Sequence, residues 1–301
     1  MATEILPGLA AKVAAGVRLT IEDARAVLET RDLIQVGMLA SDARSRRHGA
    51  RATFVRVCDV PLAQVGTAEL PLTTTGELRL VGEPASAEEA LGAVRALVGR
   101  AGDVPVTGFT LHLLSGLAGS HRDLTALLIA AREAGLAAIA EASADHLSGA
   151  GTAALAPLMD ASLPLARLVV EHPIDAASAP AWLDSLRRLQ AETAVIRAIA
   201  PLARQPPADA PTTGYDDVRL VALARLLLDN VESIQANWRR LGAKLAQVTL
   251  LFGADDLDDV PAQDTTDLGP RRSSLEEVRR NVRAASLEPV ERNARFERLV
   301  R

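Results

Sequence analysis

Apolar positions along the chain follow two spacings, and the two alternate. Within residues 120–134, Leu124, Leu127, Leu128 and Ala131 recur three or four apart, the spacing of one helix face. Stretches 52–59, 106–114, 136–140, 165–172 and 194–202 are short, apolar or alternating, and bounded by turn residues, which is the pattern of strands. Helical spacing also predicts helices over 86–100, 179–192, 215–229 and 242–251, with short strands at 233–238 and 254–257. Ahead of the first strand, residues 19–47 read as one or two helices opened by Thr20-Ile-Glu-Asp23 in capping-box spacing. Ser86-Ala-Glu-Glu89 and Ser274-Leu-Glu-Glu277 carry the same start signal. Residues 64–81 read as a loop holding a turn at 73–76 and a short apolar run at 78–81, and residues 205–213, with three prolines, as another.

Strands separated by helices of this length predict a parallel sheet, and seven or eight such units predict a closed (β/α) TIM-type barrel. The chain then divides into an N-terminal helical extension over 1–50, an α/β barrel over 51–260 and a helical tail over 261–301 packed on the barrel. With 49% hydrophobic residues but 2% aromatic ones, Leu, Val, Ile and Ala must fill the core.

Charge narrows the function. A net charge of −5 argues against general nucleic-acid binding. The tail from Arg271 to Arg301 runs against that balance, with nine arginines to five glutamates, and forms either a solvated face or a basic face toward an anionic surface. The longest uncharged stretch, 104–120, is broken by Pro105, Gly108, His112, Ser115 and Gly116 and is too short to span a bilayer. The start lacks the basic, apolar and small-residue sequence of a secretory signal, so the expected location is cytoplasmic. The one cysteine, Cys58, excludes an internal disulfide and reads as a small buried hydrophobe. The histidines (His48, His112, His121, His146, His172) show no i,i+4 pair, and no metal site is expected. The acidic stretch at Asp255, Asp256, Asp258 and Asp259 reads either as a cation site or as a solvated loop.

One region carries a specific signal. Residues 211–230 (PTTGYDDVRLVALARLLLDN), 234–238 (IQANW) and 241–257 (LGAKLAQVTLLFGADDL) follow one another closely. With 189–193 (LQAET), 288–292 (EPVER) and the entry into the first strand at 50–57 (ARATFVRV), they resemble the radical S-adenosylmethionine enzymes of the futalosine route to menaquinone. These are aminofutalosine synthase and the dehypoxanthine futalosine cyclase. The resemblance implies a radical-SAM-like barrel with N-terminal helices and a C-terminal helical tail.

It also implies a [4Fe–4S] cluster held by three cysteines spaced C-x3-C-x2-C after the first strand. Those positions fall near Val65, Glu69 and Leu72, none of which is a cysteine. The glycine pair of the second strand end, near the cofactor's methionine part, aligns with Ser115-Gly116, and the next glycine-rich strand end with Glu141 to Asp145, where the glycines are gone. No cluster is therefore expected, and S-adenosylmethionine binding is in question. Barrel strand ends carry ligand sites. The candidate ligand-binding set is Ser115, Gly116, Asp145, His172, Gln235, Trp238, Asp255 and Asp256, residues that serve equally to cap helices and close the barrel. The resulting expectation is a non-catalytic homologue that binds an intact homologous menaquinone-route enzyme or a futalosine-like small molecule. The alternatives are a cluster-free enzyme using Asp145, Glu171, His172, Asp255 or Asp256 at the barrel mouth, and a menaquinone-route lyase or transferase with an atypical or in-trans cluster.

Overall fold

The computed structural model describes residues 5–147, 151–205, 213–263 and 274–300. The proline-rich stretch at 206–212, the acidic stretch from 264 and residues 148–150 lie outside the described residues.

Eight parallel strands close into a barrel surrounded by helices. Three helices come first, α1 (Ile5–Ala15), α2 (Ile21–Glu29) and α3 (Leu33–His48), so the 19–47 segment is two helices. Thr20 opens α2 with the expected capping box: its hydroxyl accepts from the Asp23 amide at 3.2 Å, and the Asp23 carboxylate accepts from the Thr20 amide at 2.9 Å. The barrel follows as β1 (Arg51–Pro61), β2 (Glu77–Val81), α4 (Ala87–Val98), β3 (Val106–Thr110), α5 (Leu111–Ala118), α6 (His121–Glu133) and β4 (Leu136–Ser143). Then come α7 (Ala144–Leu147), α8 (Ala156–Ala161), β5 (Leu165–Val169), α9 (Ala179–Thr193), β6 (Ile196–Ala200) and α10 (Gly214–Leu227). The last elements are β7 (Ser233–Asn237), α11 (Trp238–Leu251), β8 (Asp256–Pro261), α12 (Ser274–Ala284) and β9 (Glu288–Arg292).

Three departures from the sequence reading matter for the site. The apolar run at 78–81 is the upper part of β2, not loop. Leu78 and Leu80 face the helices and join the core, while the alternate residues Glu77 and Arg79 face inward, so a barrel strand wears the charge pattern of a solvated one. The strand predicted over 106–114 stops at Thr110, whose hydroxyl accepts from the Leu113 amide at 3.1 Å and opens α5. The tail is not purely helical, because α12 is followed by a ninth strand.

That ninth strand shapes the barrel floor. The eleven-residue β1 pairs with β8 on one side and divides its other edge between two partners. Its first half, from Arg51 to Val55, pairs with β9, and its second, from Val57 to Pro61, pairs with β2. Where the end of β9 meets the start of β2, Gly76 is required: a Cβ there would sit 2.6 Å from the Arg292 carbonyl oxygen. The Gly76 amide donates to Arg56 O at 2.8 Å and its carbonyl accepts from the Ala294 amide at 3.0 Å, stitching the tail into the wall.

The core lies between sheet and helices and includes Phe54, Leu80, Ile139, Leu165 and Leu168, each essentially fully buried. Arg292, at the end of β9, reaches into the lumen with two bonds of 2.6 Å to Asp256, and its guanidinium lies 3.9 Å from the Phe296 ring centroid. Removing one partner of a buried ion pair leaves the other charge uncompensated. Arg292→Ala should therefore cost about 3–5 kcal/mol in urea unfolding, and Arg292→Met combined with Asp256→Asn should cost clearly less than Arg292→Ala alone.

Candidate functional site

Barrel lumens are usually filled by layers of branched aliphatic side chains. This one holds charge. In the lowest layer Asp256 accepts from Arg292, from Gln235 Nε2 at 2.7 Å and from Thr53 Oγ1 at 2.5 Å. Above it, Glu77 of β2, Arg79 of β2, Arg167 of β5 and Asp258 of β8 form a closed ring. Arg79 Nε and Arg167 Nη2 each lie 2.9 Å from Glu77 Oε1, and Arg79 Nη2 and Arg167 Nη1 each lie 2.9 Å from an Asp258 oxygen. Thr107 of β3 donates to Glu77 at 2.6 Å.

Burial alone would raise the Glu77 carboxyl, but the two guanidiniums and the bonds from Arg79 and Thr107 override it and hold the group far below the ordinary carboxylate range. Asp258 is lowered in the same way, with burial opposed by Arg167 and Arg79. The ring is thus two anions and two cations with no net charge.

The mouth sits above this ring at the carboxyl ends of the strands. A cleft of about 410 Å³ opens between Asp59, Arg79, Gly82, Glu83, Glu141 and Asp259. A bulge on β8 presents one of its walls. The β1–β8 register slips between Phe54 and Arg56, Asp259 takes a left-handed φ of 62°, and Asp258 and Asp259 both turn toward Arg79. Burial and the neighbouring Asp258 carboxylate push the Asp259 carboxyl above its ordinary value. Arg204, just after β6, closes the opposite side by bonding both Glu141 oxygens at 2.8 and 2.7 Å and lying 3.7 Å from Glu171.

The predicted residues scatter across this frame. Asp145 and His172 do meet at the mouth, 3.2 Å apart, with Asp145 also accepting from the Glu171 amide at 2.8 Å. Burial raises the Asp145 carboxyl, but these bonds outweigh it and leave the group below its ordinary value. The nearby Ser143 hydroxyl lies 3.1 Å from the same carboxylate rather than against the imidazole, so the three side chains do not form a nucleophile–base pair.

Gln235 and Asp256 lie in the buried lumen below the ring. Trp238 is a buried core residue at the start of α11. Asp255 does not reach the mouth: it sits just ahead of β8, where its carboxylate contacts Arg225 and the Ile234 amide and lies 3.5 Å from His48. Adjacent residues on an extended chain point to opposite faces, so Asp255 and Asp256 cannot share a site. Ser115 and Gly116 are exposed on α5. Since β2 is the second strand, the pair that follows it is Gly82-Glu83, and Gly82 has a φ of 115° that favours glycine. Glu77, Arg79, Arg167 and Asp59 escaped the sequence reading, although the alternation of charged and apolar residues in Glu-Leu-Arg-Leu at 77–80 was a signal for the first two. Asp258, read as part of an acidic stretch that is either a cation site or a solvated loop, is buried in the ring instead.

The donor set does not fit a three-thiolate cluster. Positions 65, 69 and 72 do not converge on the mouth. Val65 is buried with its carbonyl bonded to Arg100, Glu69 is exposed, and Leu72 lines a recess with Gly102 and Pro105. Cys58 packs against the core between sheet and helices, whereas its neighbour Asp59 lines the cleft. Burial, with Asp59 adding to it, raises the Cys58 thiol, which opposes the thiolate that iron ligation needs.

Comparison with known proteins places the chain. Residues 200–300 match the model of the CofH/MqnC C-terminal region. The aminodeoxyfutalosine synthase of Thermus thermophilus is 28% identical over 310 residues, covering 83% of this chain and 82% of that enzyme. The chain is a homologue of the futalosine-route enzymes. To the cyclic dehypoxanthine futalosine synthase of Streptomyces coelicolor this homologue is 30% identical over 126 residues, 39% of the chain and 32% of the enzyme. In fold it is similar to the crystal structure of methylornithine synthase, with a TM-score of 0.69 at 14% identity over 93% of this chain and 97% of that one. Among the described residues no helix is long and apolar enough to cross a membrane.

The pH dependence of this homologue's stability follows from its acids. Glu77, Asp258, Glu141 and Asp145 all have folded values below their ordinary 4.5 or 3.8, so their stabilisation is complete above those values and is lost as pH falls through and below them. Asp259, raised above 3.8, gives an opposite slope against these four and Asp23, which is lowered as well. Burial, opposed by Asp255 but aided by Arg225, Arg47 and Arg44, also lowers the His48 imidazole below its ordinary 6.5. The melting temperature should therefore begin to fall below pH 6.5 and fall more steeply below 4.5. Glu77→Gln should melt lower at neutral pH and lose less on acidification, as followed by circular dichroism.

Proposed function

We propose that this chain is a non-catalytic homologue of the futalosine-route radical enzymes, which serves menaquinone formation by binding either an intact homologous enzyme or a futalosine-like small molecule. The observation that carries the reading is the single cysteine, which faces the outer layer of the barrel and has a raised thiol. Three irons of a [4Fe–4S] cube need three thiolates, and one polypeptide with one sulfhydryl does not supply them. The filled lumen supports the same reading. The ring of Glu77, Arg79, Arg167 and Asp258 occupies the barrel's centre and leaves a ligand to the cleft above it.

That cleft retains features suited to recognition. Its walls present the Glu83, Glu141 and Asp259 carboxylates beside the Arg79 guanidinium, a lining for a polar ligand with several hydroxyl or amine groups. The homology to enzymes named for aminodeoxyfutalosine and cyclic dehypoxanthine futalosine directs the choice of ligands to test.

The deciding experiment is anaerobic reconstitution of the full chain with ferrous iron and sulfide. The protein should stay colourless after desalting and show no charge-transfer absorption. It should melt at the same temperature before and after treatment, and Cys58→Ser should match it in both respects. A brown protein that cleaves S-adenosylmethionine under reduction would overturn the proposal. Binding is read in parallel, by a melting shift with aminodeoxyfutalosine or by co-purification with the intact homologue, and at least one of the two should be positive.

A further inference from the structure

Helices α3 and α11 touch along one side of the barrel. Gly37 permits their approach, since a Cβ there would lie 3.2 Å from the Phe252 ring and 3.5 Å from the Leu251 carbonyl oxygen. A surface helix normally turns polar side chains outward and apolar ones to the core. Here the outward line of α3 carries Ile34, 77% exposed, and Met38, 62% exposed, followed one turn later by the exposed Asp42. The outward line of α11 carries the exposed Lys244, then Val248 and Leu251, 37% and 44% exposed. The spacings, 34/38/42 and 244/248/251, keep each set on one helix face.

Single exposed apolar residues are ordinary, but four on two touching helices make a patch of the kind that marks an interaction surface. This patch has a direction. Asp42 lies beyond its α3 end and Lys244 beyond its α11 end, and neither has an ion-pair partner among the described residues. A strip with an acid at one end, a base at the other and apolar residues between is complementary to itself when turned by 180°.

We propose that this face is an isologous interface with a second copy of the chain. A two-fold axis passing near the Gly37–Phe252 contact lays Ile34 and Met38 on Val248 and Leu251 of the second copy, and sets each Asp42 against the opposing Lys244. In a two-fold contact every such pairing occurs twice, so one acid and one base provide two ion pairs flanking an apolar centre. The interface lies on helices away from the barrel mouth, so it forms whether or not the cleft is filled, and it does not depend on the reading of the cleft.

Sedimentation equilibrium of the full chain tests this. The wild-type chain should be a dimer at micromolar concentration. Met38→Glu and Ile34→Ser should each yield a monomer with unchanged far-ultraviolet circular dichroism, and either one that folds suffices. Asp42→Lys and Lys244→Glu should each weaken dimerisation at least about tenfold, by setting like charges against each other. The double variant D42K/K244E should restore it to within about threefold of wild type. A monomeric wild-type chain, a dimer indifferent to Met38→Glu, or a double charge swap without rescue would overturn the proposal. A wild-type monomer that binds the intact homologue through this face would overturn it too.

Discussion

Four side chains set the interior of this barrel. Glu77 and Arg79 come from β2, Arg167 from β5 and Asp258 from β8, and each of the four contacts two others of the ring at 2.9 Å. The strands involved are not neighbours in the sheet, so the ring spans the lumen and fixes its cross-section as no single pair along one seam would. Four buried charges are costly to desolvate, and their mutual attraction offsets that cost only while the circuit is complete. The circuit compensates all four charges, and an arrangement that omits one leaves an uncompensated charge in a buried site.

Several features of the mouth follow from this constraint. Alternation along β8 turns Asp258, two residues after Asp256, toward Arg79 and Arg167, and the extra residue of the bulge lets Asp259, in a left-handed conformation, face the same side before Val260 returns to the core. The bulge lifts Asp259 into the cleft, where burial and the adjacent Asp258 push its carboxyl above the ordinary value. Below the ring, Asp256 needs a cation of its own, and the tail provides Arg292 from β9. The tail is therefore part of the barrel's electrostatic structure as well as its floor, and Gly76 is the point where the two strands can meet.

Much of the architecture is legible in the sequence, because the helices are amphipathic and their starts are marked. The capping pattern at Thr20 and the helix start at Ser86 give two correct openings, and the alternation of short strands with helices gives the barrel. The errors share one cause. Periodicity tells apolar from polar, but it does not tell a polar face toward water from a polar face toward a charged lumen. That is why β2, with Glu77 and Arg79 inward, reads as loop, and why the strand count slips so that Ser115-Gly116 takes the place of Gly82-Glu83. Asp255 and Asp256 read as one acidic pair, yet the pleat sends one outward to Arg225 and His48 and the other inward to Arg292. Of the predicted site, only Asp145 and His172 come together at the mouth.

The segment that carries cluster ligands in the resembled enzymes has a protein anchor here. Small metal-dependent folds lose their structure with the metal because few other contacts order the ligand loop. The loop after β1 has other contacts. Arg100, at the end of α4, donates to the carbonyls of Val65 and Ala68, Thr74 and Thr75 donate to the Pro71 carbonyl at 3.1 and 2.8 Å, and Val65 is buried in the core. Each bond satisfies a carbonyl that would otherwise need water or a ligand, and Arg100 ties two points of the loop to one rigid helix end. These bonds hold the loop through groups of the chain itself. A neutral ring of charges braces the barrel inside and such contacts brace the loop outside, so both are held by side chains of the chain itself.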